Sequence, residues 1–219
     1  MRKNIFYIML LLIAILLGSA CAPIPADKPA AVKNQEDVME TVKEDSKETA
    51  PANDAGTGEI SVDGKIDEGE YLNSYNDSST GLILYWHNDK SNLYIGLQSK
   101  NNGWASIGFD PEKAMQGANL ILVAMDGDNP IIRDDYGDGM FSHKPDEELG
   151  GNTDIISYAG KKNDSGYTFE FAIPMDSGDD FDKKLESGQQ YTVILAVHAS
   201  SIDFDLRHTS KSSTVILLD

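Results

Sequence analysis

The sequence predicts an all-β domain, an immunoglobulin-like antiparallel β-sandwich, and two observations carry this prediction. From residue 59 onward, short apolar and β-branched runs alternate with clusters of Gly, Asn, Asp, Ser and Pro, as strands alternate with turns. The same segment lacks an apolar repeat of helical period. About 9–11 strands are expected, which is too many for one flat open sheet, so two sheets packed face to face are predicted.

The strand predictions follow from apolar runs bounded by turn signals. Runs 82–87 and 93–98 flank the polar turn 88–92 and predict a hairpin. Run 119–125 is apolar almost throughout, as expected of a strand in the middle of a sandwich. A long polar loop is predicted over 137–152 and one turn of helix within 176–186. The remaining predicted strands are 59–62, 104–109, 131–136, 154–158, 167–173, 190–199 and 213–218.

Residues 1–21 have the pattern of an export signal. Arg2 and Lys3 precede an apolar run of about 13 residues, shorter than the roughly 20 that a membrane-spanning helix needs. Cys21 is the only cysteine, so no disulfide can form within the chain. A lone cysteine after small residues resembles a bacterial lipobox, which implies that Cys21 is lipidated and anchors an exported protein at the cell membrane or cell surface. Cleavage after Ala22 at an Ala-x-Ala site is the alternative.

The rest of the chain divides into a linker and one domain. Residues 22–57 are poor in aromatic residues and rich in Ala, Lys, Glu, Asp and Pro, which predicts a disordered acidic linker. Residues 58–219 are long enough to bury one core. The net charge of −18 argues against nucleic acid and anionic lipid surfaces as partners.

The common enzyme signatures are absent from the sequence, which favours an electron-transfer or ligand-binding domain over an enzyme. It contains no glycine-rich phosphate loop, no His-Glu-x-x-His, no cysteine pair and no Gly-x-Ser-x-Gly. Met115 lies on a connection between two predicted strands, where Pro111 and Gly117 interrupt regular pairing. A thioether at such a position either fills a gap in the core or faces a ligand.

An ordered set of short motifs resembles the DOMON family. The opening segment 60–71 reads Ile-Ser-Val-Asp-Gly-Lys-Ile-Asp-Glu-Gly-Glu-Tyr. It looks like the opening of the family-9 carbohydrate-binding modules and of the haem domain of ethylbenzene-dehydrogenase-type proteins. Both share the DOMON sandwich. The motifs are Gly103-Trp104 with Ile107-Gly108-Phe109, Met115 with Gly117-Ala118, Asp135-Tyr136, and His208 shortly before the last predicted strand.

The resemblance implies a haem b pocket at one end of the sandwich. Met115 and His208 are in the positions of the family's iron ligands, and Trp104 and Phe109 would contribute to the pocket wall. A neutral imidazole donates strongly to iron, and a thioether favours the ferrous state. With both axial positions filled, the haem would exchange electrons with a redox partner protein. His143 is the main rival for the histidine ligand.

Two other interpretations remain open. A module of the same fold without haem would bind carbohydrate on exposed aromatic side chains such as Trp86, Trp104 or Tyr136, and a scaffold domain would bind no cofactor. The acidic residues of the segment 126–138 are expected to form turns and solvated loops, and a calcium site made from some of them is the less favoured alternative.

Overall fold

The computed structural model describes residues 60–219, which form two antiparallel sheets packed face to face, as predicted. The five-stranded sheet has the order β1-β2-β3-β9-β8, and the six-stranded sheet has the order β11-β10-β4-β5-β6-β7. The elements are β1 (Asn73–Asn76), β2 (Ile83–Asn88), β3 (Asn92–Ser99), β4 (Ala105–Phe109), β5 (Asn119–Asp126), β6 (Asn129–Gly139), β7 (Ser142–Pro145), α1 (Asp146–Leu149), β8 (Ser157–Asn163), β9 (Gly166–Pro174), β10 (Gln190–Val197) and β11 (Ser210–Leu217).

Several predictions concern the N-terminal part of the chain. The export signal 1–21, the lipidation site Cys21 and the linker 22–57 lie outside the described residues. Residues 60–62 of the predicted strand 59–62 are not in a strand. Among the helical residues that the structure describes, none belongs to a helix long and apolar enough to cross a membrane.

The main core lies between the two sheets, because alternate residues of each strand point inward. β2 and β3 form the predicted hairpin, in which Leu84 is opposite Leu97. Burying a side chain of this size contributes roughly 1.5–3 kcal/mol. The largest core side chains that are almost completely buried are Tyr167, Phe109, Phe169, Phe171, Leu82, Leu84, Leu93, Ile95, Leu97, Ile107, Ile121 and Leu195.

The six-stranded sheet also has an apolar outer face. All residues of β5 except the last are buried, although the other sheet covers only one of its faces. On the outer face, Leu120, Leu122 and Ala124 pack with Trp104 and Phe204 in a second apolar cluster. The loop 110–118 and the segment 198–209 contribute to this cover, and both contain residues that the sequence singled out.

Three other local predictions were also wrong. β1 was missed because its sequence, Asn-Ser-Tyr-Asn, is polar, and it pairs with β2 at a sheet edge. The predicted polar loop 137–152 contains β7 and α1. The predicted helical turn within 176–186 does not form. In that loop, the Asp179 carboxylate accepts hydrogen bonds from the backbone N–H groups of Phe181 and Asn152 at 2.9 and 2.7 Å.

The carboxylate of Glu170 on β9 holds the segment before β1 against the sheet. It accepts hydrogen bonds from the backbone N–H groups of Asp63 and Gly64, at 3.2 and 2.7 Å, and from the Tyr71 hydroxyl at 2.9 Å. Glu170 is fully buried. Gly64 has a φ of +85°, and an added Cβ would lie 3.0 Å from the backbone carbon of Gly160, so glycine is required there.

We expect Glu170→Gln to lower the free energy of unfolding by about 1–3 kcal/mol, because the carboxamide places an NH₂ donor where the carboxylate now accepts. Chemical denaturation measures this change. Glu68→Gln is the matched control, since Glu68 is exposed and such a surface change is expected to stay within about 0.5 kcal/mol. Equal stability of both variants would show that the Glu170 contacts do not hold this segment.

Candidate functional site

A groove on the outer face of the six-stranded sheet is the candidate site. It consists of two neighbouring cavities of about 500 and 440 Å³, a size typical of small-molecule sites. Strands β4, β5 and β10 form its floor. The residues that line both cavities are Ser106, Met115, Leu120, Phe141, Ala196, His208 and Lys211.

Met115 and His208 are among these shared lining residues, and both are half-buried. Met115 lies in the loop between β4 and β5, and His208 lies two positions before β11. The structure therefore brings together two residues that are far apart in the sequence. Their location differs from the expectation in one respect: the cavities lie on the outer face of one sheet rather than at an end of the sandwich.

The loop that carries Met115 packs directly onto β6. Gly137 makes this possible, because an added Cβ would lie 1.7 Å from the Met115 carbonyl oxygen. The N–H of Gly117 donates to the carbonyl of Gly137 at 2.8 Å, and the N–H of Gly137 donates to the carbonyl of Ala118 at 2.9 Å. The backbone of β6 therefore determines the position of Met115.

The Gly-Trp motif positions a second part of the lining. An added Cβ on Gly103 would lie 2.1 Å from the His198 carbonyl oxygen, so a side chain there would displace the segment after β10. Trp104 is 3% exposed and lines the larger cavity. Its indole N–H has no hydrogen-bond partner among the described residues. A buried donor of this kind is costly unless an acceptor is supplied.

Phe109, the other expected wall residue, lies away from the groove. Residues along a strand alternate between faces, so Trp104 and Ser106 face outward while Phe109 points into the main core. Sequence reasoning missed the lining residues Phe141, Leu206, Arg207 and Lys211. The last three are close neighbours of His208 in the chain, which is the signal that could have identified them.

His143 also lines the larger cavity, and one of its two ring nitrogens already has a partner. Its Nδ1 lies 2.5 Å from Oδ2 of Asp135, a fully buried carboxylate. Arg133 donates to the same carboxylate through Nε at 2.7 Å and through Nη2 at 2.8 Å. This bidentate pair is a strong charge-assisted contact within β6, and the His143 contact links the same carboxylate to β7.

The environment of His208 favours the neutral imidazole. Burial lowers the pKa of His208, and the positive charges of Lys211 and Arg207 lower it further. Among residues 60–219, His208 forms no ion pair. Two cationic side chains also line the larger cavity of a chain whose net charge is −18. The Asp205 carboxylate lines this cavity as well and accepts a hydrogen bond from Arg133 at 3.0 Å, so the lining is mixed in charge, with two cationic side chains and one carboxylate.

The aromatic residues expected to bind sugar are not exposed platforms. Trp86 belongs to the main core, and its indole N–H donates to the Leu217 carbonyl at 2.8 Å. Tyr136 is half-buried and packs edge-on against Phe181, with 5.3 Å between ring centroids. Trp104 is buried at the groove.

The protein is thus a β-sandwich domain with a ligand-sized groove on the outer face of one sheet. The family model of the DOMON domain matches residues 78–198, which is more than half of the chain. The protein belongs to the DOMON domain family. A comparison with curated proteins found no match.

Among solved structures, three similar chains have low sequence identity. The cytochrome domain of Myriococcum thermophilum cellobiose dehydrogenase is 11% identical with a TM-score of 0.46, over 67% of this chain and 88% of that chain. The cytochrome b domain of pyranose dehydrogenase from Coprinopsis cinerea is 10% identical with a TM-score of 0.44, over 65% and 86%. A family-9 carbohydrate-binding module from Caldicellulosiruptor kristjanssonii, in complex with glucose, is 15% identical with a TM-score of 0.49, over 74% and 92%. The ligand of this chain has to be argued from its own residues.

We expect Gly137→Ala to lower the free energy of unfolding by about 1–3 kcal/mol or more, because the new methyl group overlaps the Met115 carbonyl and forces the loop away from β6. Denaturant titration measures the loss. Gly139→Ala, two positions along the same strand, is the control. Its Cβ would meet only the Ser142 Oγ, at 2.7 Å, and that side chain can rotate. A Gly137→Ala protein as stable as this control would show that the loop does not depend on the close approach.

Proposed function

We propose that this domain binds haem b in the groove on the outer face of the six-stranded sheet, where Met115 and His208 would hold the iron, and that it transfers electrons to or from a redox partner protein. The observation that carries the proposal is that both residues line the same two cavities. A Met/His pair is an established axial set for haem iron. We further propose that the protein is exported and anchored through lipidated Cys21, and that it is not an enzyme.

The residues of the groove fit the chemistry of haem. Leu120 and Leu122 give an apolar floor to the larger cavity, suited to a flat macrocycle. Arg207 and Lys211 line the same cavity and suit the two propionate carboxylates. The buried indole N–H of Trp104, which lacks an acceptor among the described residues, could donate to an oxygen of the ligand. When bound, haem iron supplies a one-electron change between ferric and ferrous states.

The chain's own side chains would tune the change between ferric and ferrous iron. The lowered pKa of His208 keeps its imidazole neutral near pH 7, the form that donates a lone pair to a metal. The Met115 thioether is a weak, soft donor that favours the reduced metal. If both side chains held the iron, no position would remain for a substrate, so this ligand set would favour electron transfer over chemistry on a bound substrate.

His208 is favoured over His143 as the histidine ligand because of its place beside Met115. His208 lines both cavities together with Met115, whereas His143 lines only the larger one. The Nδ1 of His143 is held by the buried Asp135 carboxylate, and its Nε2 stays free of hydrogen bonds within residues 60–219. Since a metal-binding histidine commonly has such a carboxylate partner, this contact keeps His143 as the rival ligand that the spectra of the variants have to separate from His208.

Carbohydrate binding without haem is less well supported. The expected aromatic platforms, Trp86 and Trp104, are 8% and 3% exposed, and stacking on a sugar ring needs an open aromatic face. Arg207 and Lys211 in the larger cavity also suit an anionic ligand better than a neutral sugar.

We expect the purified chain, supplied with haem, to show the sharp low-spin visible bands of a six-coordinate haem after reduction. His208→Ala and Met115→Ala should each abolish these bands, and His208→Ala should weaken haem binding at least about tenfold, since even outer-shell changes at metal sites cost that much. Visible absorption spectra and haem titration measure both effects.

His87→Ala is the matched control, because His87 lies on β2, away from the groove, and contacts Asp219 instead. It should keep the wild-type spectrum. Bands that persist in His208→Ala but vanish in His143→Ala would assign the ligand to His143. A colourless chain that binds glucose in a calorimetric titration would overturn the haem proposal in favour of a carbohydrate-binding module.

A further inference from the structure

A cluster of buried carboxylates lies apart from the groove. One carboxylate oxygen from each of Asp134, Asp146 and Asp182 lies within 4.8 Å of the other two. Asp154 adjoins the cluster, since its backbone N–H donates to Asp134 Oδ2 at 2.9 Å. Asn119 joins it from β5 through a short side-chain contact between its Nδ2 and Asp182. The cluster thus gathers β5, β6, α1 and two loops.

Several oxygens of this cluster are buried and have no hydrogen-bond partner among the described residues. Asp134 is 3% exposed and Asp146 is 1% exposed. Oδ1 of Asp134 and both carboxylate oxygens of Asp146 lack a hydrogen-bond partner among the described residues, as do Oδ2 of Asp154 and Oδ1 of Asn119. Leaving a buried polar atom unpaired costs about 1–3 kcal/mol, and more when the group is charged. An acidic surface patch has no such cost, so this cluster differs from the many exposed acids of the chain.

No basic side chain compensates this charge. Within residues 60–219, the ion pairs of the protein involve other carboxylates, and none includes Asp134, Asp146, Asp154 or Asp182. Burial together with neighbouring carboxylates raises the pKa of Asp134 to about 8 and that of Asp146 to about 7. Either protons or a cation must therefore neutralise the cluster near pH 7.

We propose that this cluster is a calcium site, with Asp134, Asp146 and Asp182 as direct ligands and Asp154 and the Asn119 amide oxygen available to complete the shell. Calcium takes six to eight oxygen ligands at about 2.3–2.6 Å, so two oxygens that share one ion lie at most about 5 Å apart. The spacing within 4.8 Å meets this limit. The donor set contains only carboxylate and carboxamide oxygens, which suit a hard cation rather than zinc or copper.

The chain around the site is already held in place by other contacts. Asp179 Oδ2 accepts hydrogen bonds from the Asn152 N–H at 2.7 Å and from its Nδ2 at 3.1 Å. The loop after β9 is thereby tied to the loop before β8 without an ion. A bound calcium would add a link from these loops to β6, and it would stabilise the domain by binding only the folded state.

Thermal unfolding of the full chain, treated with chelator and then titrated with calcium chloride at pH 7.5, tests the proposal. At about a hundredfold excess over Kd we expect Tm to rise by roughly 5–10 °C. Asp146→Asn should weaken calcium binding at least about tenfold in a calorimetric titration, with Asp182→Asn as a second variant if the first does not fold. Asp126→Asn, at an exposed acid of β5, should bind calcium like the wild type.

Three results would overturn the proposal. The first is a Tm that calcium does not change, and the second is a calcium response that survives in both Asp146→Asn and Asp182→Asn. The third is a magnesium response as large and as tight as that of calcium, since magnesium demands a compact octahedral shell. If protons neutralise the cluster instead, calcium has no effect and Tm of the chelated protein falls as the pH rises from about 4 to 8. In that range the folded state, whose carboxyl pKa values are raised, binds more protons than the unfolded state, so each rise in pH lowers the free energy of unfolding. None of these results depends on whether haem binds.

Discussion

The central strand β5 has apolar side chains on both faces, and the fold has to cover both. The five-stranded sheet covers one face, where Ile121 and Val123 join the main core. On the other face, Leu120 and Leu122 have no sheet above them and are covered by loops and the residues they carry. Loops pack less completely than a sheet because their backbone polar groups must also find partners. The groove is the space that this incomplete cover leaves.

The loops can cover the sheet only where the backbone comes very close to it. The Met115 carbonyl approaches Gly137, and the His198 carbonyl approaches Gly103, so closely that no side chain would fit at either glycine. Gly137 on β6 and Gly103 just before β4 therefore fix the two loops that frame the groove. The Gly-Trp motif is explained in the same terms, since glycine permits the contact and Trp104 fills the adjoining wall.

The sandwich and the strands with strong apolar patterns could be predicted from the sequence, because their side chains follow the period of a pleated strand. The polar strand β1 and the short β7 could not, since they pair at sheet edges and bury little. Met115 and His208 were correctly placed on a loop and before the last strand. The face of the sandwich that holds the groove could not be predicted, because it depends on which loops fold over β5. The carboxylate cluster was hidden because its members are dispersed from β6 to the loop after β9 in a chain with 36 acidic residues.

Strand β6 connects the two sites. Successive residues of a strand point to opposite faces, so Asp134 faces the carboxylate cluster while Asp135 faces the groove and pairs with Arg133 and His143. Gly137, three positions after Asp134, supports the Met115 loop. An ion bound at Asp134 would therefore restrain the strand that positions a proposed haem ligand. Asp134 and Asp135 were expected in a solvated acidic loop, but both are buried on β6, where each has a different structural role.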